Sequence, residues 1–157
     1  MPVFVSTALK NWARERRARL FKRHTPKAVF SYIYQNRLWG KEESVSGTES
    51  SLAQTAVLRE QLPVLCRRYG VRTLLDIPCG DFNWMRAVDL DGMVYQGADV
   101  VDELIQTCRS QYATRNIQFE VMDLLEDPLP RVDLILCRDC LVHFSNKSLL
   151  LLVLNHS

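Results

Sequence analysis

The fold is decided by one stretch of the sequence, LLDIPCGDFNW at residues 74–84. An apolar run ends at Asp76, a turn with Pro78 and Gly80 follows, and the next residues have the pattern of a helix start. A strand that leads through a glycine-containing turn into a helix is typical of nucleotide-cofactor sites, because the turn lets the backbone approach the ligand and free N–H groups point into the crevice. We therefore predict a cofactor site at this turn.

Three consecutive predicted strands each end near an aspartate. Asp76 ends the first strand, and Asp123 lies just after the third. Asp99 ends the second strand, roughly 20 residues beyond the turn, where a carboxylate meets ribose hydroxyls in such folds. Consecutive strands of a right-handed βαβ sheet end side by side. The row suits a cofactor with an amino acid part, a ribose and an adenine, whereas Asp76 and Asp81 would repel a pyrophosphate.

Apolar strands alternate with helical patterns from residue 71 onward. We predict strands at 71–77, 94–98, 117–121 and 132–137, and helices at 83–88, 101–112 and 145–154. The fourth strand is nearly all apolar, which predicts burial on both of its faces. Repeated β-α units of this kind predict an α/β fold with a Rossmann-like, doubly wound and mainly parallel sheet of about four strands.

The residues before the first strand predict an N-terminal helical extension. A helix over 29–39 would carry Phe30, Tyr34 and Leu38 on one stripe, with Trp39 at its end. Two interpretations of the aromatic residues are open at this stage. Tyr34 and Trp39 either cover a cofactor as a lid or pack on the core, and packing on the core is the favoured interpretation.

A polar loop over 40–51 follows, and then a helix over 55–68 that Pro63 would bend or split. The loop is rich in Ser, Gly and Thr, and Gly70 closes the helix. The chain is thus predicted to divide into a basic arm (1–28), a helical lead-in with the polar loop (29–70) and a partial cofactor-binding domain (71–157).

The composition is that of one ordinary domain: 157 residues, a net charge of +2 and 47% hydrophobic residues. The longest apolar candidate, residues 148–154, falls far short of the roughly 20 residues that span a bilayer. The first residues show no signal-peptide pattern. Five cysteines are scattered through apolar segments, which favours reduced thiols and a cytoplasmic location.

Two of the cysteines, Cys137 and Cys140, form a C-x-x-C pair. A zinc site needs two further ligands at matching spacing, and the sequence has none, so no metal site is predicted. A redox pair is one interpretation. Because Cys137 falls at the end of a predicted strand, we favour one buried cysteine beside an incidental neighbour.

The basic arm carries six Arg and Lys residues between Lys10 and Lys27, against the single acid Glu15. Such an arm can bind nucleic acid or anionic lipid, or can serve as an organelle transit peptide. A solvated basic helix is the favoured interpretation over specific nucleic-acid recognition, because no known binding motif accompanies the charge.

Taken together, residues 71–144 resemble the class I S-adenosylmethionine-dependent methyltransferases. The resemblance implies S-adenosyl-L-methionine as the cofactor and a methyl acceptor that the sequence does not identify. It places Asp76 and Gly80 at the methionine end, Asp99 at the ribose and Asp123 at the adenine. The full set of cofactor-binding residues that it implies is Asp76, Pro78, Cys79, Gly80, Asp81, Asp99, Val100, Asp123, Leu124 and Arg138.

Two further segments are similar to an uncharacterised bacterial branch of this family. They are the lead-in, with Trp-Gly at 39–40 and Ser-Val-Ser-Gly at 44–47, and the strand-four ending LCRDCLVH at 136–143. The ending contains the candidate catalytic residues, Asp139 and His143. A histidine can accept a proton from a nucleophilic acceptor near neutral pH, and a structural role is the alternative for both residues.

The sequence departs from the family pattern in two places. The turn keeps Gly80 alone of the usual three glycines, and Pro78 and Phe82 occupy the other two positions, so that Phe82 brings a bulky side chain where close approach is usual. The chain also stops at Ser157, after four strands where family sheets commonly have seven. Strand four would then be an exposed apolar edge, so we expect a C-terminally truncated chain, or a partner chain or second copy over that edge.

Three other functions are open at this stage. One is an inactive, truncated methyltransferase-like domain that binds cofactor weakly or serves as an interaction module. Another is a nicotinamide-dependent dehydrogenase, although a pyrophosphate needs several glycines and no carboxylate such as Asp81 nearby. The third is a nucleic-acid-binding module built on the basic arm.

Overall fold

A computed structural model of the chain describes residues 24–39 and 43–144. The described strands are β1 (Thr73–Asp76), β2 (Val94–Asp99), β3 (Ile117–Val121) and β4 (Leu134–Leu136). The described α-helices are α1 (Pro26–Gln35), α2 (Ala56–Tyr69) and α3 (Asp102–Tyr112). Two helices precede the first strand, as predicted, and α3 connects β2 to β3.

All four strands pair in parallel, in the order β3-β2-β1-β4. This order confirms the predicted Rossmann-like α/β sheet and places β1 between β2 and β4. The chain builds outward from β1 through β2 to β3 and then crosses back to the other side of β1, so the strand order reverses between β1 and β4. In open α/β sheets, ligands bind at such a reversal, outside the carboxyl ends of the strands.

Polar groups at the start of β1 fix its pairing with β4. The Asp133 carboxylate, just before β4, accepts hydrogen bonds from the N–H of Arg72 at 2.9 Å and from the N–H and hydroxyl of Thr73 at 2.8 and 2.9 Å. These bonds hold the pKa of Asp133 below its usual value. With the register fixed in this way, Asp76 at the end of β1 lies opposite Leu136 of β4.

The prediction that strand four is buried on both faces is wrong. Leu134 and Leu136 are half-buried, and Ile135 between them is 43% exposed. Within the described residues, β1 is the one strand that pairs with β4, so the outer edge of β4 forms no ladder there. That a partner or a second copy covers this edge stays a prediction.

One face of the sheet packs on an aromatic core. Phe82, from the turn after β1, contacts Tyr95 of β2 and Phe119 of β3 with ring centroids 5.1 Å apart in each pair, and Tyr112 of α3 at 5.4 Å. Gly97 leaves room for this cluster, because a Cβ there would lie 2.7 Å from the Phe119 ring. Buried residues of α2 and α3 complete the face: Leu62, Cys66, Ile105 and Cys108.

The opposite face has a smaller core near the carboxyl ends of the strands. Its buried residues come from the strand ends and from the segments that follow β3 and β4: Leu75, Ile77, Ala98, Met122, Leu124 and Cys140. Apolar packing therefore holds the ends of β1 and β2 from both faces of the sheet, which is the rigid support that a binding site at this edge requires.

The first helix docks on the start of α3 through polar contacts. Lys27 pairs with Asp102 at 2.7 Å, and the side-chain amide of Gln35 donates a hydrogen bond to Glu103 at 2.8 Å. Because α1 begins at Pro26, the predicted boundary between basic arm and lead-in falls inside this helix. The division into an arm, a lead-in and a cofactor domain stays a prediction.

Three local predictions need correction. The buried face of α1 consists of Val29 and Ile33, whereas Leu38 of the predicted stripe is 53% exposed, because the helix ends at Gln35, and Arg37, with φ +49°, turns the chain before Leu38. Helix α2 runs unbroken through the buried Pro63. The helix predicted over 83–88 is a single 3₁₀ turn, Met85–Ala87, since the backbone returns to an extended conformation directly after it.

Some predictions fall on residues outside the described ranges. These are the helix over 145–154 and most of the basic arm. Among the helices that are described, none combines the length and the hydropathy needed to cross a membrane. The five cysteines all lie within the described ranges and are free thiols, as their scattered positions indicated.

Candidate functional site

A cavity opens at the carboxyl ends of the strands, where the strand order reverses between β1 and β4. We call it the strand-end cavity. Most of the residues predicted to bind cofactor line it: Asp76, Pro78, Cys79, Gly80, Asp99, Val100, Asp123, Leu124 and Arg138. The two candidate catalytic residues, Asp139 and His143, line it as well. Asp81, which was also predicted, lies outside the lining.

Two of the three aspartates line the cavity from different strands. Asp76 ends β1, which lies between β2 and β4, and Asp123 follows the outer strand β3. Asp76 is almost fully buried and accepts a hydrogen bond from the Tyr95 hydroxyl at 2.8 Å. Burial raises the pKa of Asp76 to about 7, and the Tyr95 hydrogen bond acts in the opposite direction. Asp123 is half-buried in the turn after β3, where its carboxylate accepts the N–H of Leu125 at 2.9 Å.

The third aspartate, Asp99, connects the end of β2 to the turn after β1. Its carboxylate accepts the N–H of Gly80 at 3.2 Å and the N–H of Val101 at 3.0 Å. Burial raises the pKa of Asp99 to about 6, and these backbone hydrogen bonds act against the rise. The charge of Asp99 adds to the rise in the pKa of Asp76, so the cavity floor carries two buried, mutually repelling carboxyl groups.

The N–H groups of the turn bond to other parts of the protein, contrary to the prediction that they point free into the crevice. The N–H of Gly80 donates to Asp99, and the N–H of Asp81 donates to the hydroxyl of Ser46 at 3.0 Å. Gly80 has φ +57°, and a Cβ at this position would overlap the hydroxyl oxygen of Ser46. Glycine is therefore required here by the close approach of Ser46.

Two residues of the turn direct their side chains away from the cavity. The Asp81 carboxylate accepts the Ser44 hydroxyl at 3.0 Å and the Val45 N–H at 2.9 Å. Phe82 has φ +59° and is only 2% exposed, because this backbone conformation turns its ring down into the aromatic core. The bulky side chain that departs from the family pattern thus leaves the cavity open.

The helical lead-in forms an aromatic wall of the cavity. Phe30 and Tyr34 of α1 line it together with Trp39. The Trp39 ring stacks on His143 with centroids 5.8 Å apart and an interplanar angle of 25°, and Phe30 contacts these two rings at 5.6 and 5.9 Å. Tyr34 and Trp39 both line the cavity, and a role as a lid stays a prediction. Phe30 was missed as a site residue, although its spacing of four from Tyr34 was the available signal.

Residues of the predicted polar loop also line the cavity, and sequence reasoning missed them. They are Val45, Ser46 and Ser50. Polar loop residues have no periodic pattern that separates a wall of a site from an ordinary connection. The available signal for Val45 and Ser46 was the Ser-Val-Ser-Gly stretch at 44–47, which is similar to the bacterial branch.

Arg138 closes the cavity on the side of β4. Its guanidinium lies over the Trp84 ring at 5.6 Å, donates to the carbonyl of Glu49 at 2.6 Å and pairs with Asp139 at 2.8 Å. Among the described lining residues, one arginine faces four aspartates. The cavity is therefore lined by aspartates at the ends of β1, β2 and β3, and the positively charged Arg138 lines it on the side of β4.

Three thiols near the cavity, those of Cys79, Cys108 and Cys140, are held in the protonated form. Burial raises the pKa of Cys79, and it raises the pKa of Cys108 to about 12. The pKa of Cys140 is raised as well, first by a hydrogen bond with Cys137. Because the thiolate is the nucleophilic form, these groups do not favour covalent catalysis. Across 24–39 and 43–144, no group of three or more His, Cys, Asp or Glu residues is placed to hold a metal ion.

No protein-family model and no curated protein match this chain. Magnesium protoporphyrin IX methyltransferase from Synechocystis PCC 6803 is similar in structure. With bound SAM it covers 83% of this chain at a TM-score of 0.57 and 14% identity, and with bound SAH it covers 81% at 0.55 and 12%. Human N-acetylserotonin methyltransferase in complex with SAM covers 76% at a TM-score of 0.45 and 17% identity.

This chain spans only part of those proteins: 72% and 64% of the Synechocystis enzyme in the two structures, and 39% of the human one. The likeness to the Synechocystis enzyme covers more than four fifths of this chain. The described part of the chain therefore has the fold of the class I S-adenosylmethionine-dependent methyltransferases.

Proposed function

We propose that this protein is an S-adenosylmethionine-dependent methyltransferase that binds its cofactor in the strand-end cavity. The observation that carries the proposal is the row of carboxylates, Asp76, Asp99 and Asp123, which line one cavity from the ends of three adjacent strands. The fold and its likeness to solved methyltransferases support the proposal.

The chemistry of the cavity suits this cofactor. A carboxylate offers about four acceptor sites for hydrogen bonds. Asp99 uses two of them to accept backbone N–H groups, which fix its orientation. The remaining acceptor sites can bind two ribose hydroxyls. Asp123 and the apolar Leu124 at the end of β3 would hold the adenine. The buried Asp76 would stabilise the positive charge of the methionine end, since a nearby cation offsets the cost of burying a carboxylate.

The acceptor would enter along the aromatic wall. The bound cofactor supplies an electrophilic methyl group on its sulfonium, and the main task of the chain is to align a nucleophile with it. His143 is fixed by its stacking on Trp39, so its ring is held at the cavity, where it would take a proton from the acceptor. Asp139 is the second candidate for this role, since it lines the same side of the cavity.

Calorimetric titration with S-adenosylhomocysteine tests cofactor binding. We expect Asp99→Asn to weaken binding about tenfold or more, because it removes a charged acceptor from the ribose hydroxyls. The matched control is Asp89→Asn, which alters an exposed aspartate paired with Arg67 at the surface. Circular dichroism establishes that both variants fold. Equal affinity of the folded Asp99→Asn protein and the wild type would refute the assignment.

Binding alone does not establish catalysis. Transfer of a radiolabelled methyl group from the cofactor to an acceptor in a cell extract distinguishes an active enzyme from a domain that only binds. His143→Ala should reduce that transfer while leaving the affinity for S-adenosylhomocysteine unchanged, if His143 acts on the acceptor.

A further inference from the structure

Residues 43–50 form a strap at the strand-end cavity, bonded mainly to the turn after β1 and, through Glu49, to Arg138 after β4. The strap comes from the polar loop of the lead-in, far from the turn in sequence, and it is held at both ends by hydrogen bonds. Because three of its residues line the cavity, the strap is part of the proposed cofactor site. The inference below rests on the proposed function and deepens it.

The first end of the strap is fixed by Asp81. Its carboxylate accepts the Ser44 hydroxyl at 3.0 Å and the Val45 N–H at 2.9 Å, while the Asp81 N–H donates to the Ser46 hydroxyl at 3.0 Å. Ser44 in turn accepts the N–H of Ser46 at 3.1 Å. Asp81 thus holds three consecutive strap residues, and Gly80 lets the last of them approach the turn.

Asn83 joins the two ends of the strap, and Arg138 holds the strap near its second end. The side-chain amide of Asn83 donates to the Glu43 carboxylate at 2.9 Å and to the carbonyl of Ser50 at 3.1 Å. The Arg138 guanidinium donates to the carbonyl of Glu49. The strap is therefore bound to both β1 and β4, the two strands that flank the reversal.

The strap lies at the end of the cavity away from the adenine. Asp123 follows β3, whereas Arg138 follows β4, and three strand spacings separate them, which is about 14 Å. The two ends of one ligand would therefore meet different residues. With the ribose at Asp99 and the adenine at Asp123, the strap and Arg138 are left for the amino acid end.

The strap and Arg138 together supply donors for a carboxylate. A hydroxyl has one donor and two acceptor sites. The hydroxyl oxygen of Ser46 accepts the N–H of Asp81. The hydroxyl proton of Ser46 is not used in that bond and can point into the cavity. A guanidinium has five N–H donors, and Arg138 commits them partly to Glu49 and Asp139. Asp76 lies beside these groups and suits the ammonium of the same zwitterion.

We propose that the strap, through Ser46 and with Arg138, binds the carboxylate at the amino acid end of the cofactor, and that Asp81 is the positioning residue that holds the strap in place. Asp81 itself touches no part of the ligand. Its effect on binding is transmitted through Ser44, Val45 and Ser46.

The experiment compares two ligands by calorimetry. S-adenosylhomocysteine has the amino acid end, and 5′-methylthioadenosine keeps the adenine, ribose and thioether without it. Asp81→Asn should weaken S-adenosylhomocysteine binding about tenfold, because the amide cannot accept from both Ser44 and Val45. It should change the affinity for 5′-methylthioadenosine less than about twofold. Asp89→Asn is the control and should change neither affinity.

A second variant covers the case in which Asp81→Asn fails to fold. Ser46→Ala keeps both hydrogen bonds of the Asp81 carboxylate to the strap and removes the hydroxyl at the cavity together with its hydrogen bond from the Asp81 N–H. It should show the same selective loss. A loss of affinity that is equal for the two ligands, or no loss for either, would overturn the inference while leaving the proposed function intact. A wild-type protein that binds neither ligand would overturn both.

Discussion

Replacing Asp76 by asparagine should make the ligand-free protein more stable at pH 8 while weakening its binding of S-adenosylhomocysteine. Asp76 is a carboxylate buried under the cavity floor, where it is faced by the Tyr95 hydroxyl, the Asp99 carboxyl, the Cys137 thiol and the Arg138 guanidinium. Burial is the largest influence on its pKa and raises it to about 7. Asparagine has nearly the same shape and can accept the Tyr95 hydrogen bond, but it carries no charge.

The magnitude follows from the two pKa values of Asp76. A rise from about 4 in the unfolded chain to about 7 in the folded protein corresponds to about 4 kcal/mol. Below pH 4 the carboxyl is protonated in both states, and no stability is lost. Between pH 4 and pH 7 the unfolded state alone releases the proton, so the free energy of unfolding falls as the pH rises. Above pH 7 the loss is complete.

Urea denaturation of the wild type and Asp76→Asn at pH 5, 6, 7 and 8 measures this effect. The difference between the two proteins cancels the titration of groups that do not interact with Asp76, whereas Asp99 contributes through its repulsion by the Asp76 charge. It should favour the variant increasingly from pH 5 to pH 8, by about 2–4 kcal/mol over that range. A difference that does not change with pH would show that the Asp76 carboxyl ionises normally in the folded protein, and the account of the cavity floor would then be wrong.

Two predictions concern the aromatic core beneath the turn. Phe82→Ala should lower the free energy of unfolding by about 3–5 kcal/mol, because it removes a buried ring that contacts Tyr95 and Phe119. Urea denaturation measures this loss, and a loss below about 1 kcal/mol would contradict the packing of the ring. Gly97→Ala should cost about 1–3 kcal/mol, because the added Cβ meets the Phe119 ring at 2.7 Å. In the Phe119→Leu background Gly97→Ala should cost less, and strict additivity of the two changes would exclude the clash.

The sheet could be predicted from the sequence because its strands are short apolar runs between turn and helix signals. The predicted third strand has the bounds of β3, and the aspartates at 76, 99 and 123 line one cavity because consecutive strands lie side by side. The burial of β4 could not be predicted, because an apolar run does not reveal which neighbours a strand has. Ile135 lies at the edge of the described sheet and is exposed for that reason.

The hydrogen-bond partners of Asp81 could not be predicted from the local sequence, for a related reason. Asp81 was predicted to be one of the cofactor-binding residues. In the structure its carboxylate bonds to residues that lie 36 and 37 positions away, in a loop with no periodic signal. A polar residue that binds another segment of the chain looks, in the sequence, the same as one that binds a ligand. The distinction depends on a tertiary contact that only the folded chain brings together.

The glycine-poor turn shows how its departure from the family pattern is accommodated in the core. A turn with three glycines can bring its backbone close to a ligand, whereas this turn has one glycine. Phe82 nevertheless adopts φ +59°, and its ring fills the core that Gly97 leaves open. Gly80 is retained where Ser46 approaches. The turn therefore uses its N–H groups to hold the strap and Asp99, and polar contacts to a ligand are left to the strap and the strand-end carboxylates. A glycine at position 82 would relieve the strained backbone and remove the ring from the core, so the phenylalanine is retained for packing.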